Sequence, residues 1–183
     1  MKYYAFLMVL MFIQTGCRQL SPEEQEIYNN LNKEVNLEMF HSAPVYHKDT
    51  IVNLNEILNN YSFISIVYLK DGCAPCYPIF IDWHKKVNAF SLADDYTVLF
   101  IIEGNIYSSY ERLIREVLEI EQIETNFYTV IDTNFSFLDG NMDVPYNIID
   151  RSILIDRNRK IRLIGHPFSS DGMRNLFGRI VGI

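Results

Sequence analysis

Apolar residues gather in two long runs, Phe63 to Leu69 and Tyr96 to Ile102, broken only by Ser65 and Thr97. Runs without polar alternation predict strands buried on both faces of a parallel sheet, and the second run is expected to pair with the first. After the first run the period changes: Cys76, Ile79, Phe80, Trp83, Val87 and Phe90 recur at the spacing of one helix face. After the second, Ser108 and Glu111 have capping-box spacing, and Ile106, Tyr110, Leu113, Val117 and Ile120 predict another long helix. Two β–α units therefore alternate.

Shorter elements flank them. Ser21-Pro22-Glu23-Glu24 opens a lead helix, with Ile27, Leu31 and Val35 on one face. Tyr46 to Val52 predicts a first strand, Asn53 to Leu58 a helical turn, and Phe127 to Ile131 a short strand. Asp132 to Tyr146, with Asn134, Asp139-Gly140-Asn141 and Pro145, reads as a loop. Ser152 to Ile155 and Lys160 to Ile164 flank the turn Asp156-Arg157-Asn158-Arg159 as a hairpin, and its alternating apolar and basic residues turn one face to solvent. Ser170 caps a final helix with Met173, Leu176, Phe177 and Ile180 as its buried stripe.

The N-terminus changes the picture of where the protein works. Lys2 precedes the apolar stretch Tyr3 to Ile13, which is too short to span a bilayer that needs about 20 residues and so reads as a removable signal. Gln14-Thr15-Gly16-Cys17 follows and resembles a bacterial lipoprotein cleavage box, although Gln14 stands where an aliphatic residue is usual. The alternative is an ordinary signal peptide that leaves a free thiol. The division expected is a signal over residues 1–16, a lipidated tether and lead helix over 17–44, and one domain over 45–183. A net charge of −7 without a basic block argues against nucleic acid, and membrane attachment would come from acyl chains on Cys17.

Cys73 and Cys76, in Lys70-Asp71-Gly72-Cys73-Ala74-Pro75-Cys76, fall where the first apolar run gives way to the helical period. Unpaired N–H groups and the helix dipole favour a thiolate there, and the thiolate is the attacking species. Cys73, the outer sulfur, is the expected nucleophile and Cys76 the resolving thiol. Pro75 and Pro78 suit a first helical turn. Two other readings remain. Zinc would need further ligands, and His41, His47, His84 and His166 show no paired spacing, so no metal is expected. A purely structural bridge would close too short a loop to stabilise much. Lys70 favours a thiolate and Asp71 opposes it, so their net effect has no sign from sequence. His84, two turns along the helix, is read as a surface residue.

The order strand, C-x-x-C, helix, strand, helix, hairpin, helix resembles the thioredoxin-like fold from about Tyr46 to Ile183. Ile153-Leu154-Ile155-Asp156-Arg157-Asn158-Arg159-Lys160-Ile161 resembles the hairpin of membrane-anchored extracytoplasmic members, lipoproteins of Bacteroidetes among them. The resemblance implies a three-layer α/β fold, a central mixed sheet flanked by helices. It implies a thiol–disulfide oxidoreductase of the cell envelope, on the periplasmic side, without a cofactor. The partners implied are exported protein thiols or disulfides and a membrane redox partner that resets the dithiol. Substrate would dock on Gly72, Ala74, Pro75 and the segment Asp150-Arg151, where the family carries a cis-proline. Pro145 is its displaced counterpart only if the loop bulges. Gly72 replaces the family's tryptophan and the buried acid falls at about Val67; the missing cis-proline motivates the alternative, a redox-inactive binding module with a local bridge.

Overall fold

The computed structural model describes residues 19–48, 50–70, 76–88, 94–104, 119–120, 122–124 and 126–183. The helix expected from Ile106 lies outside them except at its last two residues.

Ser21 caps α1 (Pro22–Asn30) by accepting the Glu24 N–H at 3.2 Å, while Glu24 accepts the Ser21 N–H at 2.7 Å. The expected stripe ends early, because Asn32 takes a positive φ of 67° and turns the chain out of the helix. Val35 thus enters the core from an extended segment. That segment runs antiparallel to the chain after Asp156: Asn32 donates its N–H to Ile161, Ile161 to Lys33 and Val35 to Arg159, at 2.8, 2.9 and 2.8 Å. A sheet edge that would otherwise offer unpaired backbone groups is covered in this way. Leu37 and Phe40 follow into the core around a short 3₁₀ turn, so residues 35–40 belong to the folded unit.

Two short antiparallel strands, β1 (Val45–His47) and β2 (Thr50–Val52), replace the single strand expected from Tyr46 to Val52. Lys48, at φ 52°, makes the turn between them. Asn53 then caps α2 (Leu54–Asn60), which buries Leu54 and Ile57. The two long apolar runs form β3 (Phe63–Lys70) and β4 (Tyr96–Glu103), paired in parallel from Phe63↔Tyr96 to Lys70↔Glu103. Between them in sequence comes α3 (Cys76–Asn88).

β5 (Tyr128–Asp132) lies parallel to β4 on its other side and carries β1. The segment read as a loop contains two single turns of helix, α4 (Ser136–Asp139) and α5 (Tyr146–Ile149). Gly140 and Pro145 gave it a loop signature, but Phe137, Val144, Ile148 and Ile149 are buried and anchor it. Asp132 sets the first turn, its two carboxylate oxygens accepting from the Ser136 N–H, the Ser136 hydroxyl and the Phe137 N–H at 3.0, 2.9 and 2.8 Å. The expected hairpin is β6 (Ile153–Asp156) and β7 (Ile161–Ile164). Leu154 pairs with Leu163 and Ile155 with Ile161, so Arg162 is an extra, exposed residue of a bulge.

The sheet order is β2-β1-β5-β4-β3-β6-β7. The central position of β3 and β4 explains their unbroken apolar sequences. α2, α4 and α5 pack on one face around Ile66, Leu99 and Ile101; α3 and α6 (Asp171–Val181) pack on the other around Val67, Val98 and Phe100. This is the three-layer architecture expected from the sequence. Ser170 caps α6 through the Met173 N–H, and Phe177 and Val181 are buried, whereas Leu176 of the expected stripe is exposed.

Candidate active site

Gly72, Cys73, Ala74, Pro75 and Cys17 lie outside the described residues. Their neighbours in the chain define the setting. β3 ends at Lys70 and α3 begins at Cys76, so the dithiol segment joins the carboxyl end of a central parallel strand to a helix N-terminus. Carboxyl ends of parallel strands, where chains leave the sheet in different directions, are the usual place for sites in α/β folds.

Around Lys70 and Asp150, both singled out in the sequence, the same edge collects Glu103, Asp132, Tyr68 and Tyr146, which the sequence did not flag. In register, Lys70 is beside Glu103 and Glu103 beside Asp132. Above Lys70 lies Tyr146, the first residue of α5, with the ammonium nitrogen 4.6 Å from the ring centroid. The Tyr146 hydroxyl donates to Asp150 Oδ1 at 3.2 Å, and Tyr68 meets the same ring edge-on at 6.4 Å. Loss of solvation, with the neighbouring Asp132 carboxylate, raises the pKa of Glu103 above the usual carboxylate range. Loss of solvation raises that of Tyr146 too, followed by Asp150 and Glu103. The Tyr68 hydroxyl is buried without a hydrogen-bond partner among the described residues. Tyr146 was hidden in sequence because it closes a stretch of loop-forming residues; only the preceding Pro145, suited to starting a helix, pointed to it.

Asp150 and Arg151 are both exposed where α5 runs into β6. Asp150 is engaged by Tyr146, and Arg151 pairs with Glu23 of α1 at 2.7 Å. Asn147 adds a bond to Glu26 at 2.9 Å, so the lead helix lies against this segment. Ser152 follows with φ 69°, buried, its carbonyl accepting the Gly165 N–H at 2.9 Å. No peptide bond among the described residues is cis, so Pro145 is a trans proline at the start of α5 and not a displaced cis counterpart.

His84 is not a surface residue. It is 1% exposed, its Nδ1 lies 2.9 Å from the Phe80 carbonyl, and its ring stacks on Phe100. Burial holds its pKa down at about 4, so it is neutral at pH 7. Sequence reasoning failed because the helix is covered on a wide arc: Phe80, Trp83 and His84 are buried, and Ile79 of the expected face is 41% exposed. His166 lies over Trp83, and its Nδ1 accepts the Phe168 N–H at 3.1 Å. His41 pairs with Glu38, and His47 stacks on Tyr128. Among the described residues no group of His, Cys, Asp and Glu could hold a metal ion, and no helix is long and apolar enough to cross a membrane.

No protein-family model matches the chain, and no curated protein does. Solved structures do. The thioredoxin domain of a thiol-disulfide oxidoreductase from Bacteroides vulgatus superposes with a TM-score of 0.51 at 18% identity, over 76% of this chain and 94% of that one. A Chlorobium tepidum protein provisionally named thiol:disulfide interchange protein DsbE gives 0.51 at 18%, over 83% and 96%. A provisionally named electron transport protein from Aquifex aeolicus gives 0.55 at 13%, over 84% and 99%. At these identities the likeness concerns the fold, and the fold of this chain is thioredoxin-like.

Proposed function

We propose that the protein is a thiol–disulfide oxidoreductase acting on exported proteins, held at the periplasmic side of a bacterial membrane by lipid on Cys17. The observation that carries this reading is the position of the C-x-x-C sequence between the carboxyl end of β3 and the N-terminus of α3 in a thioredoxin-like fold.

In the reductive direction the Cys73 thiolate attacks one sulfur of a substrate disulfide. A mixed disulfide forms, and the second substrate sulfur leaves as a thiolate that takes a proton from water. Cys76, deprotonated, then attacks the Cys73 sulfur and expels the first substrate sulfur. Two electrons have passed to the substrate, and Cys73 and Cys76 share a disulfide until the dithiol of a membrane redox partner reduces it. Gly72, Ala74, Pro75 and the Asp150-Arg151 segment form the docking surface in this reading. Cys76→Ser should accumulate mixed disulfides with exported proteins, and Cys73→Ser should not. Equal trapping by both variants, or none by either, overturns the proposal.

A second reading, a redox-inactive binding module with a local bridge, draws support from the docking segment, whose Asp150 and Arg151 are already engaged by Tyr146 and Glu23. Redox titration separates the two. A bridge that stays closed in strong dithiol reductant while the protein remains folded favours the module.

A further inference from the structure

We propose that His166 is an acid-sensitive latch: its neutral ring, set against Trp83 of α3, holds closed the turn that carries Phe168 into α6, and a proton on Nδ1 releases that turn while the rest of the fold stays intact.

The hydrogen bond at the ring fixes where a proton can go. A backbone N–H only donates, so Nδ1, which accepts from Phe168 at 3.1 Å, holds a lone pair and the proton of the neutral ring is on Nε2. Nε2 is buried without a hydrogen-bond partner among the described residues, 3.5 Å from the Asp82 carboxylate. A second proton therefore has one place to bind, Nδ1, and there it would meet the Phe168 N–H donor to donor. The closed turn excludes the imidazolium.

The turn joins two parts of one layer. Pro167 and Phe168 are buried, and Phe168 meets Phe177 of α6 edge-on, ring centroids 5.4 Å apart. The His166 carbonyl accepts the Ser169 N–H and hydroxyl at 3.1 and 2.8 Å, and Ser170 then caps α6. Once Nδ1 no longer accepts, the Phe168 N–H loses its partner in a half-buried place and regains one only by opening to water.

The charged groups that act on the ring are both on α3. Lys86 opposes the imidazolium and Asp82 favours it, and the two pair with each other at 2.9 Å. The turn itself presents the Phe168 ring, edge-on at 5.9 Å, and the Ser169 hydroxyl, neither of them charged. Burial, ahead of Lys86, holds the pKa in the closed state at about 4, against 6.5 for an open one. The sign follows: the latch is fully closed above pH 6.5 and weakens as pH falls toward 4.

Amide hydrogen exchange of the full-length chain, followed residue by residue from pH 7 to pH 5 and corrected for the intrinsic rate, tests the latch. Protection of the Phe168 amide should fall about tenfold per pH unit below 6.5, and at each pH it should be lower than that of Leu99 in central β4. His166→Asn places an acceptor oxygen where Nδ1 stands and does not titrate; Asn53 accepts the Asn55 N–H in this way at 2.8 Å. It should keep the Phe168 amide protected and remove the slope. A slope that survives in His166→Asn overturns the inference, as does protection at Phe168 equal to that at Leu99, which would mean that the turn opens only with the whole fold. Should His166→Asn not fold, the wild type decides alone: flat protection at Phe168 from pH 6.5 to pH 5 overturns the inference.

Discussion

The His166 imidazole lies face to face with the Trp83 indole, ring centroids 4.0 Å apart and planes 20° apart. His166 is in the chain just after β7, and Trp83 is in the middle of α3, so the stack fastens the hairpin end to the helix that begins at Cys76. Its Nε2 is 3.5 Å from the Asp82 carboxylate, which itself pairs with Lys86 at 2.9 Å.

Stability should fall as pH drops below the ordinary histidine value of 6.5. Burial holds both His84 and His166 at about 4, Lys86 lowering His166 further and Asp82 opposing. Between 6.5 and about 4 the unfolded chain takes up these protons and the folded chain does not, so unfolding is favoured by about 1.4 kcal/mol per pH unit for each imidazole. The stabilisation is fully present above pH 6.5 and is lost on approaching pH 4. Urea unfolding followed by Trp83, the one tryptophan, should show this slope, and His84→Phe should flatten it. A flat midpoint from pH 7 to pH 5 in the wild type would refute the account.

Asp132→Ala should destabilise the fold by about 2 kcal/mol. It removes three hydrogen bonds at the start of α4 and leaves the buried Phe137 N–H without its acceptor. Asp132→Asn keeps acceptor capacity and should cost less than Ala, as chemical denaturation of the pair would reveal.

Phe40→Ala tests whether the lead segment is part of the fold. Phe40 is buried and stacks on Phe137 at 6.2 Å, so its loss should cost about 3–5 kcal/mol. A segment that merely tethered the domain would show no change in the unfolding midpoint.

The Glu23–Arg151 pair, 2.7 Å apart but exposed on both sides, should contribute less than about 1 kcal/mol in a double-mutant cycle. Its expected effect is on docking: Glu23→Ala frees Arg151 and should change the rate of reaction with a disulfide peptide more than it changes the melting temperature.

Local chemistry determined much of this molecule from the sequence alone. Capping by Ser21, Asn53 and Ser170, the hairpin around Asp156 and the strand-to-helix junction that carries Cys73 and Cys76 follow from neighbours within a few residues, and the unbroken apolar sequences of β3 and β4 marked both as buried strands. Tertiary structure decided what depends on contacts between distant segments. The burial of His84 needs Phe100 of β4. The ordering of residues 132–146 depends on packing and on Asn141, which bonds Asn36 from the lead segment. Tyr146 meets Lys70 only because α5 folds back over the end of β3. Periodicity records which face of an element is apolar, but not which remote side chain will cover it, and that choice was made by the packing of the whole core.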